Sequence, residues 1–143
     1  MSRPQDVGDN KNYYADEEVG FDSEGYVLGP GEDDGPRQVK KNDGTEPFVG
    51  VTHLSTFNHD KTEVLEGEPV AVHHEGEVNV LCEPGREYTH GEIVFASTEY
   101  AGIAAADGEE NAGDEEVGRV VEGEDLSDDE APGVVKVNIT GRV

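Results

Sequence analysis

Apolar residues recur in this chain at period two, in short runs, and no window of ten or more residues carries them at helical spacing. Successive side chains of a strand point to opposite faces, so runs of this kind fit strands with one buried face. Val70 and Val72 alternate with Ala71 and His73, and Val78 and Val80 with Asn79 and Leu81. The last run, Val134 to Ile139, places Val135, Val137 and Ile139 on one face. Gly25-Tyr26-Val27-Leu28, Phe48-Val49-Gly50-Val51, Ile93-Val94-Phe95-Ala96, Gly102-Ile103-Ala104 and Val117-Gly118-Arg119-Val120-Val121 read as further strands. Nineteen glycines and seven prolines punctuate them, and valine suits a pleated, half-buried surface. About eight to ten short strands predict an all-β chain, a small β-barrel or β-sandwich with an extended N-terminal arm.

Local signals predict some pairings. Gln38-Val39-Lys40 is expected to pair back across the Gly29–Pro36 turn region, and Asn42-Asp43-Gly44 reads as another turn. The valine runs at 70–72 and 78–80, joined by His74-Glu75-Gly76-Glu77, read as a hairpin. Ala104-Ala105-Ala106 reads as the start of a helical turn that Asp107-Gly108 ends. Leu54 and Phe57 have no assigned element. Residues 1–20 are polar apart from Met1, Val7, Tyr13, Tyr14 and Val19, and form an acidic arm that is flexible or ordered by a partner. Residues 21–143 form one β domain, which suits a chain of 143 residues.

The formal net charge is −24, from 34 acidic and 10 basic residues. Nucleic acid and anionic membrane surfaces would repel such a chain, so neither is an expected partner. Acids run from Asp6 to Glu130, so this is no acidic tail, and the alternating valines argue against general disorder. Self-repulsion on this scale points to high salt, where the screening length falls to about 3 Å from about 10 Å at 0.1 M. The core must be thin, with no Trp and one Met. At about 25 cal/mol per Å² of apolar burial a thin core leaves little margin, so oligomerisation is expected. No apolar stretch reaches the ~20 residues of a membrane span, and Met1-Ser2-Arg3-Pro4 has no signal core, so synthesis in the cytoplasm is expected.

Chemistry-bearing patterns are weak. Cys82, the only cysteine, lies in a valine-rich run and reads as a buried structural thiol. His53, His59, His73, His74 and His90 lack metal-ligand spacing, and His73 and His74 point to opposite faces of a strand. Glu32-Asp33-Asp34 and Asp125 to Glu130 do not match a calcium loop and read as solvated charge. Ser97 follows a strand without a nucleophile elbow, and Gly29-Pro30-Gly31 lacks the Lys and helix of a phosphate loop. A carboxylate pair for glycoside cleavage would lack a Trp platform. No catalytic, cofactor-binding or metal-binding residue is assigned, no cofactor is expected, and the chain reads as a non-enzyme.

One ordered set of phrases remains. Glu66-Gly67-Glu68-Pro69-Val70 leads to Gly76-Glu77-Val78-Asn79-Val80 and His90-Gly91-Glu92-Ile93-Val94. Then come Gly102-Ile103-Ala104, Val117-Gly118-Arg119-Val120-Val121-Glu122 and Val135-Lys136-Val137-Asn138-Ile139-Thr140-Gly141. In this order, over residues 46–143, the chain resembles the capsid decoration (cement) proteins of tailed viruses; the acidic N-terminal 45 residues have no counterpart in that layout. The resemblance implies a virion protein on the outer capsid surface that binds the major capsid protein as an oligomer, with a trimer favoured, and stabilises the shell. The extra acidity fits a virus of a halophilic, archaeal host. Tyr13, Tyr14, Phe21 and Tyr26 are the expected capsid or subunit contacts, with Phe21 and Tyr26 equally readable as ordinary core aromatics. Two other readings stay open: another virion part, such as a turret, spike base or tail component, and a halophilic cytoplasmic metal-binding or enzymatic β domain.

Overall fold

The structure is a computed structural model that describes residues 13–15, 19–20, 25–31, 38–52, 63–64, 69–70 and 72–140. Fifteen strands and no helix run through the described residues. The first eight are β1 (Tyr13–Ala15), β2 (Val19–Gly20), β3 (Val27–Pro30), β4 (Gln38–Lys41), β5 (Gly50–Thr52), β6 (Glu63–Val64), β7 (Pro69–Val70) and β8 (Val72–His73). The rest are β9 (Glu75–Cys82), β10 (Glu87–Tyr88), β11 (Ile93–Ser97), β12 (Ala104–Ala106), β13 (Ala112–Glu122), β14 (Glu124–Asp125) and β15 (Gly133–Thr140).

Five strands close a barrel in the order β11-β12-β9-β15-β13, with β13 returning to β11. Its longest ladder is antiparallel and pairs all eight residues of β15 with β9, from Gly133 opposite Cys82 to Thr140 opposite Glu75. The predicted face is the interior one: Val135, Val137 and Ile139 are fully buried with Val80, Cys82, Val94 and Val117. β13 crosses β15 so closely at Gly118 that a Cβ there would meet the Asn138 carbonyl, which excludes every larger residue. Closure leaves this sheet without exposed edges.

A second, six-stranded sheet has the order β7-β1-β4-β3-β5-β8. Leu28, Val39, Tyr13 and Val72 form its own buried cluster. Val27, Phe48 and Val51 instead join the barrel's core. Backbone bonds from Leu81 N to Gly25 O (2.9 Å) and from Val27 N to Gly102 O (2.8 Å) tie the two sheets together. β10 and β14 form a two-residue pair, as do β2 and β6.

The all-β expectation therefore holds, and β4 pairs back on β3 as expected. Three local readings need correction. The 70–80 hairpin is absent: β8 pairs with β5 in the six-stranded sheet, while β9 enters the barrel beside β15. Two residues of β8 offer a short ladder, whereas β15 offers β9 eight partners, so the chain changes sheets at buried His74. Ala104–Ala106 is a strand, not a helical turn, and all three alanines are fully buried. With both faces covered, only a small side chain fits there. β13 begins at Ala112 and not at Val117, because Ala112 pairs with Ser97 and Glu116 with Phe95 across an irregular stretch. Leu54 and Phe57 lie outside the described residues.

Candidate functional site

The expected contact aromatics are scattered in depth. Tyr13 sits in β1, which is hydrogen-bonded between β4 and β7 within the segment read as an arm. Its ring is buried, 5.2 Å from the His74 ring and tilted by 49°. Tyr14 lies in the same strand, opposite Gln38 and Pro69. Phe21 is outside the described residues. Tyr26 is half-buried against the second cluster, with Lys41 Nζ 4.6 Å from its ring centre. That contact draws a cation over a π face instead of leaving it to pair with an acid.

The histidines gather into no metal site among the described residues. His74 Nδ1 lies 3.1 Å from the Val49 carbonyl, so that nitrogen carries the proton, and buried Nε2 has no hydrogen-bond partner among the described residues. His90 Nδ1 donates to the Val121 carbonyl at 2.8 Å on the surface. His53 and His59 fall outside the described residues. Cys82 is buried, and burial, then the charge of Glu83, push its thiol pKa far up. A protonated, enclosed thiol is no nucleophile.

A buried polar cluster around Glu83 is one that sequence reasoning passed over. Ser97, fully buried at the end of β11, donates from Oγ to Glu83 Oε2 at 2.7 Å. The same Oγ accepts from Glu99 N (3.0 Å) and Tyr100 N (3.1 Å). Asn111 Nδ2 donates to both Glu83 oxygens, at 3.4 and 3.2 Å, and Tyr88 Oη donates to the Glu83 carbonyl at 2.7 Å. The Ser97 hydroxyl is fully buried, and its oxygen is occupied by the Glu99 and Tyr100 N–H groups. The cluster fastens three loops to the barrel. Beside it, Arg86 binds Glu92 at 2.5 Å and Glu109 at 2.9 Å, with its guanidinium carbon 5.0 Å from the Tyr88 ring centre. Burial opposes ionisation of Glu92, but the Thr89 N–H and the Arg86 charge hold its pKa below the usual carboxylate value.

Asn42 is a second concealed fastener. Its side chain is buried, accepts from Gly44 N at 2.8 Å and donates to the carbonyls of Glu46 and Pro47. Gly44 has φ +90°, and a Cβ there would lie 2.6 Å from the Ser97 carbonyl. The turn signal Asn42-Asp43-Gly44 was visible in the sequence; the burial of Asn42 was not. An open cavity of about 250 Å³ lies between this turn and the start of β13, lined by Thr45, Glu46, Thr98, Asp114 and Glu115 among others. In its lining, Glu115 Oε1 accepts from Phe48 N at 3.0 Å. What the described residues offer is a closed barrel that carries charged surfaces.

Comparison with known proteins points to a structural virion protein. A family model described as "Structural cement protein (E217 gp24/Pam3 gp6)" matches residues 2–140. The fold is similar to that in the crystal structure of the head fiber gp8.5 N base in bacteriophage phi29. The two share 14% identity at a TM-score of 0.50, over 94% of this chain and 97% of that one. At that identity the likeness concerns the fold alone. No curated protein matches the chain.

Proposed function

The chain belongs to the phage structural cement protein family, and from that premise we propose that it decorates and stabilises the outer surface of a tailed-virus capsid. The match over residues 2–140 is the observation that carries this reading. The protein binds the major capsid protein as a homo-oligomer, holds no cofactor and catalyses no reaction. Several modest contacts per oligomer then act together, because each bound subunit raises the effective concentration of the next. A closed barrel suits the task, since it presents no free strand edge for unwanted pairing. Tyr14, Phe21 and Tyr26 are assigned to contacts; Tyr13 is buried in its own chain. The charge of −24 fits a particle that works in brine.

The test uses shells lacking this protein. Purified protein should co-sediment with them in high salt and raise the temperature at which they rupture. Failure to bind at any salt concentration overturns the reading. Mass spectrometry of intact virions should find copies in the hundreds, on the scale of a shell lattice; a vertex-limited number would indicate a turret instead.

A further inference from the structure

The turn that joins β11 to β12 is held by its own chain. Tyr100 O accepts from Ile103 N at 3.1 Å, and Gly102 adopts φ +82° between them. The Ser97 hydroxyl takes the Glu99 and Tyr100 N–H groups. Gly102 N donates to Asn42 O at 2.9 Å, and Gly102 O accepts from Val27 N at 2.8 Å. These bonds stitch the turn to the residues that follow Lys41 and Tyr26. A Cβ on Gly102 would lie 3.0 Å from both Tyr26 Cδ1 and Lys41 Cγ, so these two side chains lie against the turn. Lys41 Nζ is 4.6 Å from the Tyr26 ring centre. In the same turn Tyr100 is 51% exposed, and Ala101 is exposed beside it.

A single exposed apolar side chain is ordinary, and Val134, 41% exposed on β15, is one. Tyr100 differs, because its backbone is already fixed and a second aromatic and a cation lie against the same turn. An aromatic held in place beforehand loses little entropy on binding. Lys41 decides the partner's chemistry. Lys40, Arg86 and Lys136 face carboxylates and Arg119 a carbonyl, whereas Lys41 has no carboxylate among the described residues and rests on the Tyr26 ring. An apolar surface laid over that ammonium would strand its charge. We propose that Tyr26, Lys41, Tyr100 and Ala101 form the surface that docks on the capsid, which supplies an apolar pocket for the Tyr100 ring and a carboxylate beside it for Lys41. The proposal rests on the decoration reading above and names the chemistry of its contact. Asp43 and Glu99, both exposed, follow Lys41 and precede Tyr100 in the chain, so the surface has no net positive charge. At molar salt, charges more than about 3 Å apart are largely screened, and a capsid carboxylate in contact with Lys41 is little affected by those acids. Burial of the aromatic supplies the affinity, and the Lys41 pair fixes the register.

Co-sedimentation of the full chain with shells that lack it, in about 2 M KCl, tests this. Tyr100→Ala and Lys41→Glu should each weaken binding at least about tenfold. Lys41→Met, which keeps an apolar stem over Tyr26, should weaken it less. Lys136→Glu makes the same change of charge on β15 and should bind like the wild type. Carbodiimide treatment of decorated shells should couple the Lys41 amine to an Asp or Glu of the capsid protein. Circular dichroism checks that each variant is folded, and sedimentation velocity that its own association matches the wild type. Tyr100→Ala binding as tightly as the wild type overturns the proposal. Equal losses in Lys41→Glu and Lys136→Glu also overturn it, since general repulsion would then explain both. A variant whose own association changes assigns the turn to contacts between copies and overturns it as well. A wild type that binds no shell removes the decoration reading and this surface together; a wild type that binds, with variants that bind equally, removes this surface alone.

Discussion

Glu87 and Asp125 stand directly opposite one another in the two-residue β10–β14 pair, and both are exposed. Like charges across a ladder are destabilising. Asp125 is also fixed in place: its Oδ1 accepts from Ser127 N at 3.0 Å and Ser127 Oγ at 2.5 Å, which holds its pKa below the usual value. The pair persists because it carries Leu126, whose side chain is buried in the barrel core and whose N–H bonds to Arg86 O at 2.9 Å. Glu87→Lys should therefore stabilise the protein, raising Tm by about 1–3 °C at low salt. Differential scanning fluorimetry at 0.1 M and about 1 M salt checks it; the gain should shrink as salt screens the new pair.

Ser97 joins three partners through one hydroxyl, so its loss leaves two N–H groups and a carboxyl oxygen short of a bond. Ser97→Ala should cost about 1–3 kcal/mol, the range for buried polar groups left unsatisfied. The urea midpoint should fall with its slope unchanged. Asn111→Ala should cost less, because Asn111 is only half-buried and its bonds to Glu83 are longer.

How legible these features were depends on what kind of signal carried them. β15 was readable because Val135, Val137 and Ile139 sit on a strict two-residue period that one buried face imposes. The start of β13 was hidden by Asp114, Glu115 and Glu116, since acids on a surface strand look like acids in a loop. The 70–80 hairpin was misread for a different reason. Alternation reports that a segment is a strand, but not which strand it pairs with, and β9 took a partner more than fifty residues later. Glu83 gave no signal at all: it is one acid among 34 acidic residues, and only the fold sets Ser97 and Asn111 around it. The aromatics divided likewise, with Tyr13 legible as apolar but its depth set by strands β4 and β7.

Glu92 gives the fold a pH dependence of defined sign. Its folded pKa lies below the ordinary 4.5, mainly through the Thr89 N–H and Arg86, which outweigh its partial burial. A depressed carboxylate stabilises the fold fully above its unfolded pKa and loses that contribution as pH falls through the folded one. Glu92→Gln should therefore be less stable than the wild type at pH 7, and the difference should close below about pH 4.5. Chemical denaturation of both proteins at pH 7, 5 and 3.5 checks it. A gap that stayed constant with pH would mean that Glu92 acts by packing alone.

Salt should govern stability more than any single residue does. The five described lysines and arginines are already engaged: Lys40 with Glu46 (3.2 Å), Lys41 over Tyr26, Arg86 with Glu92 and Glu109, Arg119 with Gly91 O, Lys136 with Glu122. Added salt weakens these few exposed attractions, each worth about 0–1 kcal/mol, and at the same time weakens repulsion among a net 24 negative charges. The second effect is collective and dominates. Tm should rise steadily from 0.1 M to about 2 M KCl, by about 10 °C or more if several kcal/mol of repulsion is screened. KCl and NaCl should act alike, because screening depends on ionic strength and not on a fitted cation site. A Tm that fell with salt would place the stability of this fold in its few ion pairs; one that rose only with a divalent cation at millimolar concentration would place it in a bound ion.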